Sequence, residues 1–185
     1  MGSNRTEGGA VRVRTAVLGA GALLLAAGCG TTETGTPTTA AAPPPDPFNV
    51  CEDLPDAALA TTGLNPATKS TVTNAPSGPT SWIVCAWEPT QPPATYRVEV
   101  YSTSHTMDET RKNENLTDLT EVEIAGRQGL TFKETNTADT RCRAAFGAEQ
   151  GSFIVSTAWF ETGAKPDLCG LAVQYLTDLE PALPA

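Results

Sequence analysis

RCRAAFGAEQGSFIVSTAWF, residues 141–160, is the stretch whose reading decides the fold. Arg141 to Phe146 and Ser152 to Phe160 are two runs, the second rich in β-branched and aromatic residues, which fit a pleated, half-buried surface. Between them lies Gly147-Ala148-Glu149-Gln150-Gly151, so the stretch predicts a β-hairpin. Downstream, Asp167 suits a helix N-cap, and Leu168, Leu171, Ala172, Tyr175 and Leu179 recur at helical spacing. An antiparallel pair followed by an amphipathic helix implies a sheet that buries one face under that helix.

Working outward, the same signals continue upstream. Glu121 to Ile124 alternates, with Val122 and Ile124 inward, and Gly126-Arg127-Gln128-Gly129 reads as a turn into Leu130-Thr131-Phe132. Thr106-Met107-Asp108-Glu109 fits a capping box opening a helix to about Leu116. Ser81 to Trp87 and Thr95 to Ser102 read as strands; in the second, Tyr96, Val98 and Val100 share one face and Arg97 and Glu99 the other. Residues 65–79 are rich in Asn, Pro, Ser, Thr and Gly and read mostly as loop. Cys51 to Thr62 reads as a short helix, with Pro55 in its first turn and Gly63 as a left-handed cap. The order predicts an α+β domain over 48–185: an antiparallel sheet of about 5–6 strands with three helices packed on one face.

The N-terminal segment has another character. Arg5, Arg12 and Arg14 precede Thr15 to Gly28, an uncharged, mostly apolar run that is shorter than the about 20 residues a membrane-spanning helix needs. It ends in Leu25-Ala26-Ala27-Gly28-Cys29, and a short apolar run with basic flanks and small residues at its end marks a secretory signal peptide. The ending resembles a lipobox, although leucine is commoner where Ala26 stands. Residues 1–28 are therefore expected to be a lipoprotein signal peptide, with Cys29 acylated. The opening Met1-Gly2-Ser3-Asn4-Arg5-Thr6 also fits a myristoylation pattern, which the export signal behind it contradicts. Residues 29–47 continue as GTTETGTPTTAAAPPPDP after the cysteine, without an aromatic or large aliphatic side chain. Such a segment buries too little apolar surface to offset its ordering entropy and reads as a flexible Thr/Pro-rich tether.

Removal of residues 1–28 takes three of 12 basic and one of 21 acidic residues, leaving a net charge near −11. That balance argues against nucleic acid as a partner, because phosphate binding needs Lys and Arg. It leaves the bilayer, reached through acylated Cys29, and an envelope small molecule or protein.

Four cysteines remain: Cys51, Cys85, Cys142 and Cys169. An even number in an exported domain implies two disulfides, with three possible connectivities. The sequential pairing, Cys51–Cys85 and Cys142–Cys169, is preferred, because it ties the first helix to an early strand and the last helix to a late one. Their spacing fits no zinc site, and His105 is the sole histidine.

Catalytic signals are weak. His105 lies near Ser102 and Ser104, but no G-x-S-x-G elbow accompanies it. Asp108-Glu109 suits a helix N-terminus, and Glu121 and Glu123 fall on the solvent face of their strand. Trp82 and Trp87 bracket Cys85 with opposite parity, so a straight strand points them to opposite faces. One of the two is then available to a ligand, and both are candidate binding residues.

The lipobox, the Thr/Pro tether, Asp46-Pro47-Phe48-Asn49-Val50-Cys51, Cys85-Ala86-Trp87, Cys142 and Asp167-Leu168-Cys169 together resemble an actinobacterial lipoprotein family of unknown function, domain of unknown function 3558. The resemblance spans nearly the whole mature chain. It implies the outer face of the cytoplasmic membrane, a helix-flanked antiparallel sheet, and no activity, cofactor or catalytic residue to carry over. The expected function is that of a non-enzymatic, lipid-anchored ligand-binding or interaction module. An accessory subunit of an envelope complex and an envelope-polymer hydrolase are the alternatives.

Overall fold

The computed structural model describes residues 46–74, 81–91, 95–161 and 164–185. The expected signal peptide, Cys29 and the tether before Asp46 lie outside them. In chain order the elements are α1 (Asp56–Thr61), β1 (Leu64–Asn74), β2 (Trp82–Pro89), β3 (Tyr96–Thr103), α2 (Met107–Lys112), β4 (Leu116–Ile124), β5 (Arg127–Glu134), β6 (Arg141–Ala148), β7 (Gly151–Trp159) and α3 (Leu168–Leu179), closed by a 3₁₀ turn, Glu180–Ala182.

The deciding hairpin is β6–β7, paired from Arg141↔Ala158 to Ala148↔Gly151. Its turn is tighter than the sequence suggests, because Gly147, Ala148 and Gly151 join the ladder. All seven strands form one antiparallel sheet in the order β1-β2-β3-β7-β6-β5-β4. It is made of two meanders, β1–β3 and β4–β7, joined by the β3–β7 ladder from Tyr96↔Trp159 to Thr103↔Ser152. The β4–β5 turn consists of Ala125 and Gly126, both at positive φ (51° and 81°), as a two-residue hairpin loop matched to strand twist requires.

Seven strands replace the expected five to six. The addition is β1, which covers most of the stretch expected to be loop. It is an edge strand of Thr, Ser and Lys with two register shifts against β2, so neither hydrophobic alternation nor a regular ladder marks it. The helices are not all on one face either. Leu59 of α1 and Ala172, Tyr175, Leu176 and Leu179 of α3 share a core with Ile83, Cys85, Trp87, Val98, Val100, Phe146, Phe153 and Val155. Met107 of α2 packs instead with Leu130, Phe132, Ala145 and Ile154, the opposite parity of the same strands. Helix α2 therefore lies on the second face, held by the expected capping box between Thr106 and Glu109.

Cys51 is bonded to Cys85 and Cys142 to Cys169. The second bridge fastens the first turn of α3 to β6, beside Thr157, whose hydroxyl donates to the Leu168 carbonyl at 2.7 Å. Asp167 accepts from the Gly170 amide at 3.0 Å and caps the same end. No helix among the described residues is long and apolar enough to cross a membrane.

Candidate functional site

The sheet face away from α3 carries the site. Its off-core positions hold Arg97, Glu99, Tyr101 and Thr103 on β3, and Arg141, Arg143 and Ala145 on β6. Between them runs β7, with Ser152, Ser156 and Ala158 at the corresponding positions. Glu99 and Arg143 both pair with Ser156, and Arg97 and Arg141 both pair with Ala158. Small side chains on the middle strand let the long ones of its neighbours meet above it.

The result is a buried polar network. Glu99 is only 2% exposed. It accepts from Arg97 at 2.8 Å, from the Tyr101 hydroxyl at 2.6 Å, and from Arg141. Arg141 also donates to the Ser156 hydroxyl at 3.3 Å. Burial pushes the Glu99 carboxyl up, but the Tyr101 hydrogen bond and the Arg141 and Arg97 guanidiniums outweigh it and hold it below its ordinary 4.5. Tyr101 is shifted up by burial, with the Glu99 charge adding to the effect. Beyond Tyr101, the Arg143 guanidinium lies 5.3 Å from its ring centroid and pairs with Glu134. The Nε of Arg143 is buried and has no hydrogen-bond partner among the described residues.

Trp82 stands at the far end of this row. Its ring meets Tyr101 edge-on at 6.1 Å and lies over His105 at 5.1 Å, tilted 34°. Together with α2 it encloses a cavity of about 230 Å³. Trp82 and His105 form one wall, Leu116, Phe132 and Ile154 supply apolar surface, and Arg143 and Glu134 form the polar end. Glu109, Thr110 and Asn113 close the α2 side. Four apolar side chains and six polar ones line it, so a ligand there would meet both apolar surface and orienting polar groups.

The two candidate tryptophans separate as their parity requires. Trp82 is 36% exposed, whereas Trp87 is 1% exposed in the α3-side core. Trp87 therefore has no surface for a ligand, and its place as a candidate is corrected: the inward phase of β2 that sets Cys85 against β1 and α1 also drives Trp87 inside. His105 does not meet Ser102, which points into the α3-side face. Its Nδ1 lies 3.6 Å from Glu109, and the His105 carbonyl accepts from the Ser152 hydroxyl at 2.8 Å. Asp108 and Glu121 both pair with Arg111, and Glu109 completes the helix cap. No group of three or more His, Cys, Asp or Glu among the described residues is placed to hold a metal.

Sequence reasoning missed Glu99, Tyr101, Glu134, Arg141 and Arg143. The usable signal was alternation: Arg97 and Glu99 interleave with Val98 and Val100, and Arg141 and Arg143 with Cys142 and Ala144. The two charged rows meet only because β3 and β6 both flank β7, a non-local fact.

No curated protein and no solved structure matches the chain. The family described as protein of unknown function (DUF3558) matches residues 24–182. That span takes in both disulfides, the Glu99 network and the Trp82 cavity, and the chain belongs to the DUF3558 family.

Proposed function

We propose that this chain is a non-enzymatic binding module, anchored through acylated Cys29 to the outer face of the cytoplasmic membrane, that holds a small, largely apolar ligand in the Trp82 cavity. The observation that carries the reading is the exposed Trp82 ring, which walls one hollow with Leu116, Phe132 and Ile154 and has Arg143 and Glu134 at its polar end. Glu134 already balances the Arg143 charge, so a neutral oxygen acceptor on a planar or aliphatic body fits better than an anion. The sequence of residues 1–29 supports the anchor.

Two measurements test this. Intact mass of the chain extracted from its native membrane should show acyl chains at Cys29, and an unmodified cysteine there defeats the anchor. Native mass spectrometry of the same preparation should show a small-molecule adduct with the wild type and not with Trp82→Ala. An adduct that survives in Trp82→Ala, or none in the wild type together with no shift of the Trp82 indole resonance on adding indole, removes the cavity from consideration.

A further inference from the structure

A second hollow lies at the other end of the same face, where the network ends in arginines rather than in Trp82. Arg97, Arg141, Thr137, Thr140, Ala158 and Phe160 are among the residues lining an open cleft of about 380 Å³. Two guanidiniums converge there on the single carboxylate of Glu99. One positive charge is therefore left without a buried counterpart, in a chain whose overall balance is acidic. Arg97 uses one terminal nitrogen on Glu99 and its side chain is 41% exposed; that of Arg141 is 23% exposed. Each guanidinium has five donors in a planar fork, so both retain outward-facing capacity after binding Glu99.

The rim adds two features. The Thr137 hydroxyl is buried with no hydrogen-bond partner among the described residues, and Phe160, 56% exposed, stands beside the arginines. Other charges nearby are Lys165, which donates to the Asp139 carbonyl at 2.7 Å, the exposed Asp139, Glu161 and Glu88, the last next in register to Arg97 on β2, and the mutually paired Arg143 and Glu134. None of these lines the cleft.

We propose that the Arg97–Arg141 cleft is a binding site for a monoanionic carboxylate carried on an apolar body. The fork geometry of guanidinium matches a carboxylate. A single surplus charge is met by one negative charge, whereas a dianion such as phosphate would compete with Glu99 for its own arginines. Phe160 supplies the apolar contact. The site is distinct in position and ligand chemistry from the Trp82 cavity, and it stands or falls independently of that reading.

The test uses the full-length chain, ¹⁵N-labelled and detergent-solubilised, with the Phe160 backbone amide and the Trp82 indole resonance as position markers. Benzoate should cause a saturable shift of the Phe160 amide, which adjoins this cleft, and leave Trp82 unmoved. Benzamide, the neutral isostere, should cause no saturable shift. Arg97→Gln, at a half-exposed position, should weaken benzoate by about tenfold, the scale of one charge-assisted hydrogen bond. Equal responses to benzoate and benzamide overturn the proposal, as does unchanged affinity in Arg97→Gln or a shift confined to Trp82. The benzoate–benzamide comparison needs no variant, so it decides the matter even if Arg97→Gln fails to fold.

Discussion

Replacing Glu99 with Gln removes one charge and almost no volume at the centre of the second sheet face. Three donors converge on that carboxylate, and their exposures set how much each loses. The Tyr101 hydroxyl can still donate to the amide oxygen. Arg141, mostly covered, loses a charge-assisted bond of about 1.5–3 kcal/mol and faces an amide N–H where it had an acceptor. Arg97 is 41% exposed and rehydrates, so its share is discounted to about 0–1 kcal/mol. The total loss at neutral pH is about 2–4 kcal/mol, read as the drop in urea midpoint of the disulfide-intact chain at unchanged slope. The pH dependence sharpens the expectation. Because folding lowers the Glu99 carboxyl from its ordinary 4.5, its stabilising contribution is complete above 4.5 and disappears as pH falls through the folded value. The gap between wild type and Glu99→Gln should thus hold from pH 7 down to about 5 and narrow only in stronger acid. A loss at pH 7 below about 1 kcal/mol, the size of a surface pair, would refute the reasoning, as would a gap that is constant down to the acid limit.

Other substitutions separate the two tryptophans, the two bridges and the special glycines. Trp87→Ala should cost about 3–5 kcal/mol as a core truncation, and Trp82→Ala about 1 kcal/mol or less, as usual away from the core; thermal unfolding with matched slopes checks the contrast. Replacing Cys142 and Cys169 together by Ala should cost roughly 3–4 kcal/mol for a closed loop of this length, and proteolysis should then cut first around α3. Gly151→Ala should fail to give a stable fold, because at φ 142° its Cβ would lie 2.3 Å from the Thr103 carbonyl oxygen. Gly63→Ala meets nothing within 4 Å and should cost only the left-handed backbone penalty, about 1–2 kcal/mol. Soluble yield and urea midpoints distinguish these two outcomes.

Local chemistry carried most of the fold into the sequence. The Thr106–Glu109 capping box, the Asp167 N-cap and the left-handed Gly63 all act within four residues, and each is present as its residue types demand. Strand β1 was illegible because its evidence is tertiary: Thr71 and Ser70 become strand residues by pairing with Cys85 and Ala86, while Asn65 and Pro66 locally favour a turn. The site was illegible for a related reason. Alternation places Glu99 off the core, and on a sheet covered on one side an off-core carboxylate belongs in water. It is buried because Arg141, 42 residues later, reaches it across Ser156. Trp82 was readable as one of a pair with opposite parity; which member faced outward depended on the phase of β2.

The Cys51–Cys85 bridge has a mechanical consequence. The chain enters the domain just before Cys51, where Phe48 and Val50 pack into the core, and once those contacts yield, tension passes along the S–S bond directly into β2. Helix α1 and strand β1 lie inside the covalent loop and carry none of the pull. The segment between the half-cystines, which stand 34 positions apart, would otherwise pay out ~110–120 Å of slack. With that length locked, resistance falls on the β2–β3 ladder, from Trp82↔Thr103 to Trp87↔Val98, so a tug at the N-terminal side loads that ladder before it can peel the edge strand β1.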